Sequence, residues 1–183
     1  MASIVSHMRE TIRFGSWTRS TAPPLRKRLT WAAARILFVI CSGVSVTTVV
    51  GCYILSPLFC YWFFGSLRFW RYLHLTLPMV FFTYRLAYLC LRRKSVGSFP
   101  LTAPPMSAPD LSAVKINPEW KQGDSCGECG KCCRKIKCPF QDKENGHCMS
   151  YDTFYWRYFN CGRYPLNQRE IDLYECPKWI MRR

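Results

Sequence analysis

Eight of the twelve cysteines lie in the last third of this 183-residue chain, and four fall in one run, Cys126-Gly-Glu-Cys129-Gly-Lys-Cys132-Cys133. Thiolates two residues apart can grip a metal from a single tight turn. Gly127 and Gly130 leave the backbone free to curl, so that the sulfurs converge. Cys138, Cys148, Cys161 and Cys176 follow singly and complete a set of eight candidate metal ligands. The remaining cysteines, at 41, 52, 60 and 90, sit in apolar sequence without ligand spacing. Soft thiolates select zinc or iron–sulfur clusters over hard cations. Either needs reduced sulfur, which the cytoplasm supplies and an oxidising exterior does not.

Spacing leaves the metal open. Cys126, Cys129 and Cys132 match the first three ligands of a ferredoxin-type run, whose fourth comes after three residues and precedes proline. Here Cys138-Pro139 comes after five, and Cys176-Pro177 offers the same pair much later. A zinc ribbon calls for a second C-x2-C knuckle, and the chain has none. Eight thiols suit one four-thiolate site with spares, or two sites. Four disulfides in an exterior domain are the alternative, since eight is even, although neighbours Cys132 and Cys133 are poorly placed to pair with each other.

Other side chains have plainer roles. His147 offers a mixed Cys3His site, but a Gly-His turn is ordinarily solvent-exposed. Phe154, Tyr155, Trp156, Tyr158 and Phe159 are expected to wrap the metal in apolar surface. As a base-stacking platform they lack a basic groove. Lys131, Arg134, Lys135 and Lys137 compensate anionic sulfur. There is no Ser/His/Asp set, phosphate loop or carboxylate pair, and a Cys nucleophile paired with His147 has little support.

The elements that must carry this site begin with a tail of about 65 residues, 119–183, too small to be stable without a metal or disulfides. Residues 95–118, with Pro100, Pro104, Pro105, Pro109 and Pro118, read as a semi-extended linker. Upstream, no charge occurs from Ile36 to Leu67, more than the ~20 residues that cross a bilayer. The reading is a membrane region over 34–94 with two helices, about 34–56 and 72–92, the first ended or kinked by Pro57. Phe59, Tyr61, Trp62, Phe63, Phe64, Phe69, Trp70 and Tyr72 read as an aromatic belt at the lipid–water boundary. Gly43, Thr47 and Gly51 form a small-residue stripe suited to self-association or a membrane protein partner. Arg85 is close enough to Arg92 to snorkel to the interface.

The formal charge of +15 is concentrated in the first 110 residues. Its basic residues flank apolar runs, which is a topology signal and argues against nucleic acid as a partner. A basic segment, 1–33, precedes the first span, with a short amphipathic helix expected over 3–13. Its basic lead is too long, and the apolar run after it too extended, for a secretory signal peptide. Arg92, Arg93 and Lys94 close the second span, and only Arg68 and Arg71 lie between. The positive-inside tendency therefore puts both termini in the cytoplasm, with an outer turn near 57–71.

The cysteine pattern also resembles a family. Cys126-x2-Cys129-x2-Cys132-Cys133 is similar to the signature of the CxxCxxCC zinc- or iron-chelating, YkgJ-like proteins. Cys138-Pro139-Phe140, Cys148-Met149-Ser150-Tyr151, Arg157 to Pro165 around Cys161, and Cys176 follow in the family's order. Ser150 stands where an aliphatic residue is usual, Tyr158 replaces a proline, and the gap from Cys148 to Cys161 is longer than the family's. The resemblance spans about 120–180, implies metal chelation without a reaction, and leaves 1–110 uncovered.

The expectation is thus a two-helix α membrane anchor joined to a small, irregular, metal-stabilised domain of short helices and loops. Its function would be to bind an iron–sulfur cluster or Zn2+ beside the lipid bilayer, for electron transfer or interaction with a membrane partner. A metal-dependent enzyme acting on a small substrate, or a disulfide-bonded exterior domain, are the alternatives.

Overall fold

The computed structural model describes residues 23–92, 99–121 and 126–182. The helix expected over 3–13 and the Arg93–Lys94 end of the second span lie outside these residues. Helix α1 (Leu25–Thr47) follows Pro23-Pro24 and meets no proline along its length. It stops where Val46, Thr47, Thr48, Val49 and Val50 crowd five β-branched residues together, and Thr48 turns extended (φ −127°, ψ 109°). Two short helices follow, α2 (Val49–Ile54) and α3 (Ser56–Phe64). Pro57 opens α3 in its first turn, where its missing N–H costs nothing, and Gly65 closes it at φ 66°. A 3-10 turn (Phe69–Leu75) leads into α4 (Thr76–Leu91).

Two stretches, Leu25–Thr47 and Phe69–Leu91, are long and apolar enough to cross a membrane. The first departs from the expected 34–56. Its start moves to residue 25, and Pro57 begins a helix instead of ending one. The expected outer turn at 57–71 is largely helix, and α3 lies back against α1. The Phe38 ring meets Phe59, Trp62 and Phe63 at 6.3, 5.4 and 5.7 Å. Gly43, Thr47 and Gly51 do not share one helical face, because the break at Thr48 separates Gly51 from the other two.

The cysteine-rich part forms four short helices, α5 (Cys126–Cys129), α6 (Lys131–Ile136), α7 (Phe154–Tyr158) and α8 (Gln168–Tyr174). A two-stranded antiparallel sheet closes it, pairing Val114–Ile116 (β1) with Trp179–Met181 (β2). This sheet corrects the linker expectation. Residues 99–118 are packed onto the domain: Val114 is fully buried, and Met106 N–H donates to Arg157 O at 3.0 Å. Gly162 permits the approach, since a Cβ there would meet Met106 O and Trp156 O.

The core belongs to both halves. Phe38, Phe59, Trp62, Phe63 and Phe82 from the helices form one cluster with Ile136, Phe140, Tyr164 and Tyr174. Phe63 stacks on Phe140 at 4.5 Å, Trp62 on Phe154 at 5.6 Å, and Phe38 meets Phe159 at 4.6 Å. Phe59, Trp62 and Phe63 are therefore core and not interfacial belt, whereas Tyr61 and Trp70 stay exposed. Each such ring pair adds about 0.5–1.5 kcal/mol beyond area burial. Helices α1 and α3 thus supply the apolar core that a piece of about 65 residues cannot build alone. Arg35 of α1 completes the joint. It is 1 % exposed and donates to Tyr158 O (2.8 Å), Leu101 O (2.6 Å) and Ala103 O (2.6 Å). The Phe99 and Tyr158 rings lie 5.3 Å from its guanidinium.

Candidate metal centre

The C-x2-C-x2-C-C run folds as helix, glycine, helix. Gly130 (φ 60°) bends the chain between α5 and α6, where a Cβ would collide with the Gln141 side chain and Gly146 O. Lys137, also left-handed, ends α6, and Cys138 N–H returns to Cys133 O at 2.8 Å. A turn then brings Cys148 back over α5. Asp142 N–H donates to His147 O (2.8 Å), Asn145 Nδ2 to Asp142 Oδ2 (3.0 Å), and Cys148 N–H to Gly127 O (2.9 Å). The Asx hydrogen bonds explain Asp142-Lys-Glu-Asn145-Gly as a turn. His147 is exposed on it.

Electrostatic interaction links the eight thiols in two sets. In the first, Cys132 donates to Cys176, and Tyr164 Oη is hydrogen-bonded to both. Cys126 lies close enough to feel both Cys176 and Cys129. In the second, Cys148 donates to Cys133, which donates to Cys138, with Cys161 beside Cys133 and Cys148. Cys129 interacts with Cys126 of one group and Cys133 of the other. Adjacent Cys132 and Cys133 thus face different groups, because successive helical residues point about 100° apart.

Electrostatics distinguishes the groups. Cys176 receives the Cys132 S–H, the Tyr164 hydroxyl, and the backbone N–H groups of Trp179 and Lys178. Those donors hold its thiol well below the ordinary range, as a thiolate, and push Cys132 up in exchange. Cys133 is pushed up to about 12, chiefly because its proton is held by Cys138. Hydrogen bonding to Cys133 likewise raises Cys148. Burial raises Cys126, against which Lys178 pulls downward. Burial by the surrounding protein also raises Cys161, although the residue as a whole is exposed.

Among the described residues no disulfide joins the C-terminal cysteines. Among the described residues, no three His, Cys, Asp or Glu side chains are arranged as a metal site. Hydrogen bonding links Cys132 with Cys176, and Cys133 with Cys138 and Cys148. The fit to a thiolate-bound metal can be tested on one atom: Trp179 Nε1 is buried, completes no hydrogen bond among the described residues, and lies near enough to Cys126 to draw its thiol downward. A thiolate at Cys126 would satisfy it, as a metal-bound cysteine is. At Cys126 the indole N–H favours a deprotonated sulfur, whereas burial and neighbouring thiols raise Cys132, Cys133, Cys148 and Cys161.

Three contributors escaped the sequence reading: Tyr164, Lys178 and Trp179. The signal available was position, since Lys178 and Trp179 follow Cys176-Pro177 directly and can turn their N–H groups on its sulfur. The cations expected to compensate the site are placed otherwise: Lys135 pairs with Glu175 on the surface, and Lys131 lies over Trp120. The α7 aromatics expected to wrap the metal mainly meet α1 and α3, with Tyr155 also within electrostatic reach of Cys161, Cys138 and Cys133. Comparison with known proteins found no matching family model, no matching curated protein and no matching solved structure.

Proposed function

We propose that this protein is a membrane-associated metal-thiolate protein, binding an iron–sulfur cluster or Zn2+ through its eight C-terminal cysteines. The observation that carries this reading is the environment of Cys176. Four donors, from α6, Tyr164 and the Pro177–Trp179 turn, outweigh burial and draw the Cys176 thiol below its ordinary range. Cys126, Cys132 and Cys176, with Cys129, would form one ligand set. Cys133, Cys138, Cys148 and Cys161 would form the other. The CxxCxxCC resemblance points the same way. When bound, a cluster would supply one-electron chemistry, and closed-shell zinc would supply structure alone.

The chain's own contribution is to hold the sulfurs together, keep water from them with the shared aromatic core, and orient Cys176. A cytoplasmic placement of the domain follows from the need for reduced thiols and from the basic flanks of the apolar segments. Metal analysis with an absorbance spectrum after anaerobic purification tests the reading. A brown protein absorbing near ~400 nm identifies a cluster, and colourless protein with stoichiometric zinc identifies the structural site. Protein that is metal-free, ordered and disulfide-paired refutes it.

A further inference from the structure

The two-crossing arrangement expected from hydropathy meets an obstacle in the fold, because both apolar stretches are fastened to the same cysteine domain. Arg35 is enclosed by that domain, so the part of α1 free to enter lipid begins at Ile36. From Ile36 to Thr47 is about 18 Å, and the return from Val49 to Phe64 is about 24 Å, at ~1.5 Å per residue. A hydrocarbon core is ~30 Å thick. Neither leg spans it, and the return leg ends where it started, with Phe63 on Phe140.

The tip between the legs is built to do without water. Thr47 Oγ1 donates to Gly43 O (3.0 Å) and Thr48 Oγ1 to Val44 O (2.8 Å). Cys52 Sγ donates to Ser45 O (2.8 Å) and Ser56 Oγ to Tyr53 O (2.7 Å). Thr48 N–H and Leu55 N–H close onto Val44 O and Gly51 O. The buried Ser45 hydroxyl finds no partner among the described residues. Internal satisfaction of this kind is what a hydrocarbon environment demands, and water would not require it. Val50 (68 % exposed) and Ile54 (72 %) project outward at the tip beside Tyr53 and the exposed Thr47 and Thr48, whose hydroxyls are turned back onto the helix.

Helix α4 is also pinned. Its Phe82 meets Phe140 at 6.1 Å, and Leu86 and Leu89 pack on the shared core. Its opposite side presents Leu77, Phe81, Tyr84, Tyr88 and Leu91, recurring at three and four residues and all exposed. Exposed Arg85 and Arg92, each one step beyond Tyr84 and Leu91, run along one border of that stripe. An apolar stripe bordered by cations is the pattern of a helix lying in the plane of an anionic membrane surface.

We infer that the protein is monotopic. The α1–α3 hairpin dips into one leaflet and returns, α4 lies along the same leaflet, and the cysteine domain rests on that face. The occupant of the apolar surface is lipid, acyl chains at the tip and anionic headgroups at Arg85 and Arg92. This deepens the membrane part of the proposed function and is independent of the metal.

The test inserts a protease site between Ser66 and Leu67 of the full chain. The protein is reconstituted into sealed vesicles of phosphatidylcholine with phosphatidylglycerol. Only molecules whose C-terminal tag is accessible from outside are scored. Cleavage by external protease, with retention through alkaline wash, is the expected result. Cleavage only after permeabilisation would overturn the monotopic arrangement and leave membrane association standing. Release by alkaline wash, or a detergent-free soluble dimer, would overturn both. As a second measurement, Ile54→Arg, outside the cysteine domain, should lower the vesicle partition coefficient roughly fiftyfold at unchanged metal content. An unchanged coefficient counts against a buried tip.

Discussion

Arg35→Met isolates the joint between helix and cysteine domain. Methionine keeps much of the aliphatic stem and removes three charge-assisted hydrogen bonds and both ring contacts. Three carbonyls, of Leu101, Ala103 and Tyr158, would lose their donor in a buried setting. An orphaned buried acceptor costs about 1–3 kcal/mol. Two effects reduce the sum: the guanidinium's desolvation cost is removed as well, and the chain can shift to admit water. The net expectation is a loss of about 3–5 kcal/mol. Relaxation should concentrate in 99–106, because three of those residues are prolines without an N–H to anchor elsewhere. Denaturant unfolding in detergent, followed by near-UV signal from the aromatic core, measures the loss. Limited proteolysis should show new cutting within 99–106. Arg35→Lys keeps a cation and three donors but not the planar fork, and should fall between the two. Stability of Arg35→Met within about 0.5 kcal/mol of the parent, with 99–106 still resistant, would refute the argument that this residue fastens the halves.

Three further outcomes follow from the site and its surroundings. In metal-free, reduced protein, the low-lying Cys176 releases its proton on folding. Stability should therefore rise as pH increases from about 5 towards the ordinary thiol range near 9. Cys176→Ser should flatten that rise in unfolding experiments, and an identical slope would count against the thiolate. Trp179→Phe removes the indole N–H near Cys126. Metal affinity should fall about 10–100-fold, as for loss of an outer-shell donor, while the metal-free protein should be unharmed or more stable. Competition with a chelator and apo-protein melting read the two separately, and a destabilised apo form with unchanged affinity refutes the assignment. Gly162→Ala forces a methyl against the backbone carbonyls of Met106 and Trp156. It should cost about 1–3 kcal/mol and loosen the 99–106 segment. Hydrogen exchange at the Met106 amide checks it.

Much of the layout could be read from residue types alone. The uncharged run from Ile36 to Leu67 announces apolar helices, and the cysteine spacing announces converging sulfur. What local sequence hides is where an apolar residue is buried. Phe59, Trp62 and Phe63 look the same whether they meet lipid or Phe140, and only tertiary contact decides. The break at Thr48 follows from β-branched crowding, a weaker signal than Pro57, which drew the boundary nine residues too late. The proline-rich segment looks like a spacer because its local preference is extended. That same preference suits it to offer carbonyls to Arg35 and Arg163, whose Nη1 donates to Pro104 O. The pairing of Cys132 with Cys176 joins residues 44 positions apart, and spacing carries no information on it.

The distance in sequence between Arg35 and its acceptors bears on how the chain is made. The carbonyls that receive its guanidinium lie 66, 68 and 123 residues downstream. Leaving the ribosome, α1 carries a naked cation in its middle, an obstacle to lodging there as an ordinary spanning helix. Only when the final third has been synthesised does the charge acquire a shell. Burial of that charge is thereby tied to synthesis of the chain through Tyr158, and a chain truncated before it would be left holding an apolar helix it cannot settle.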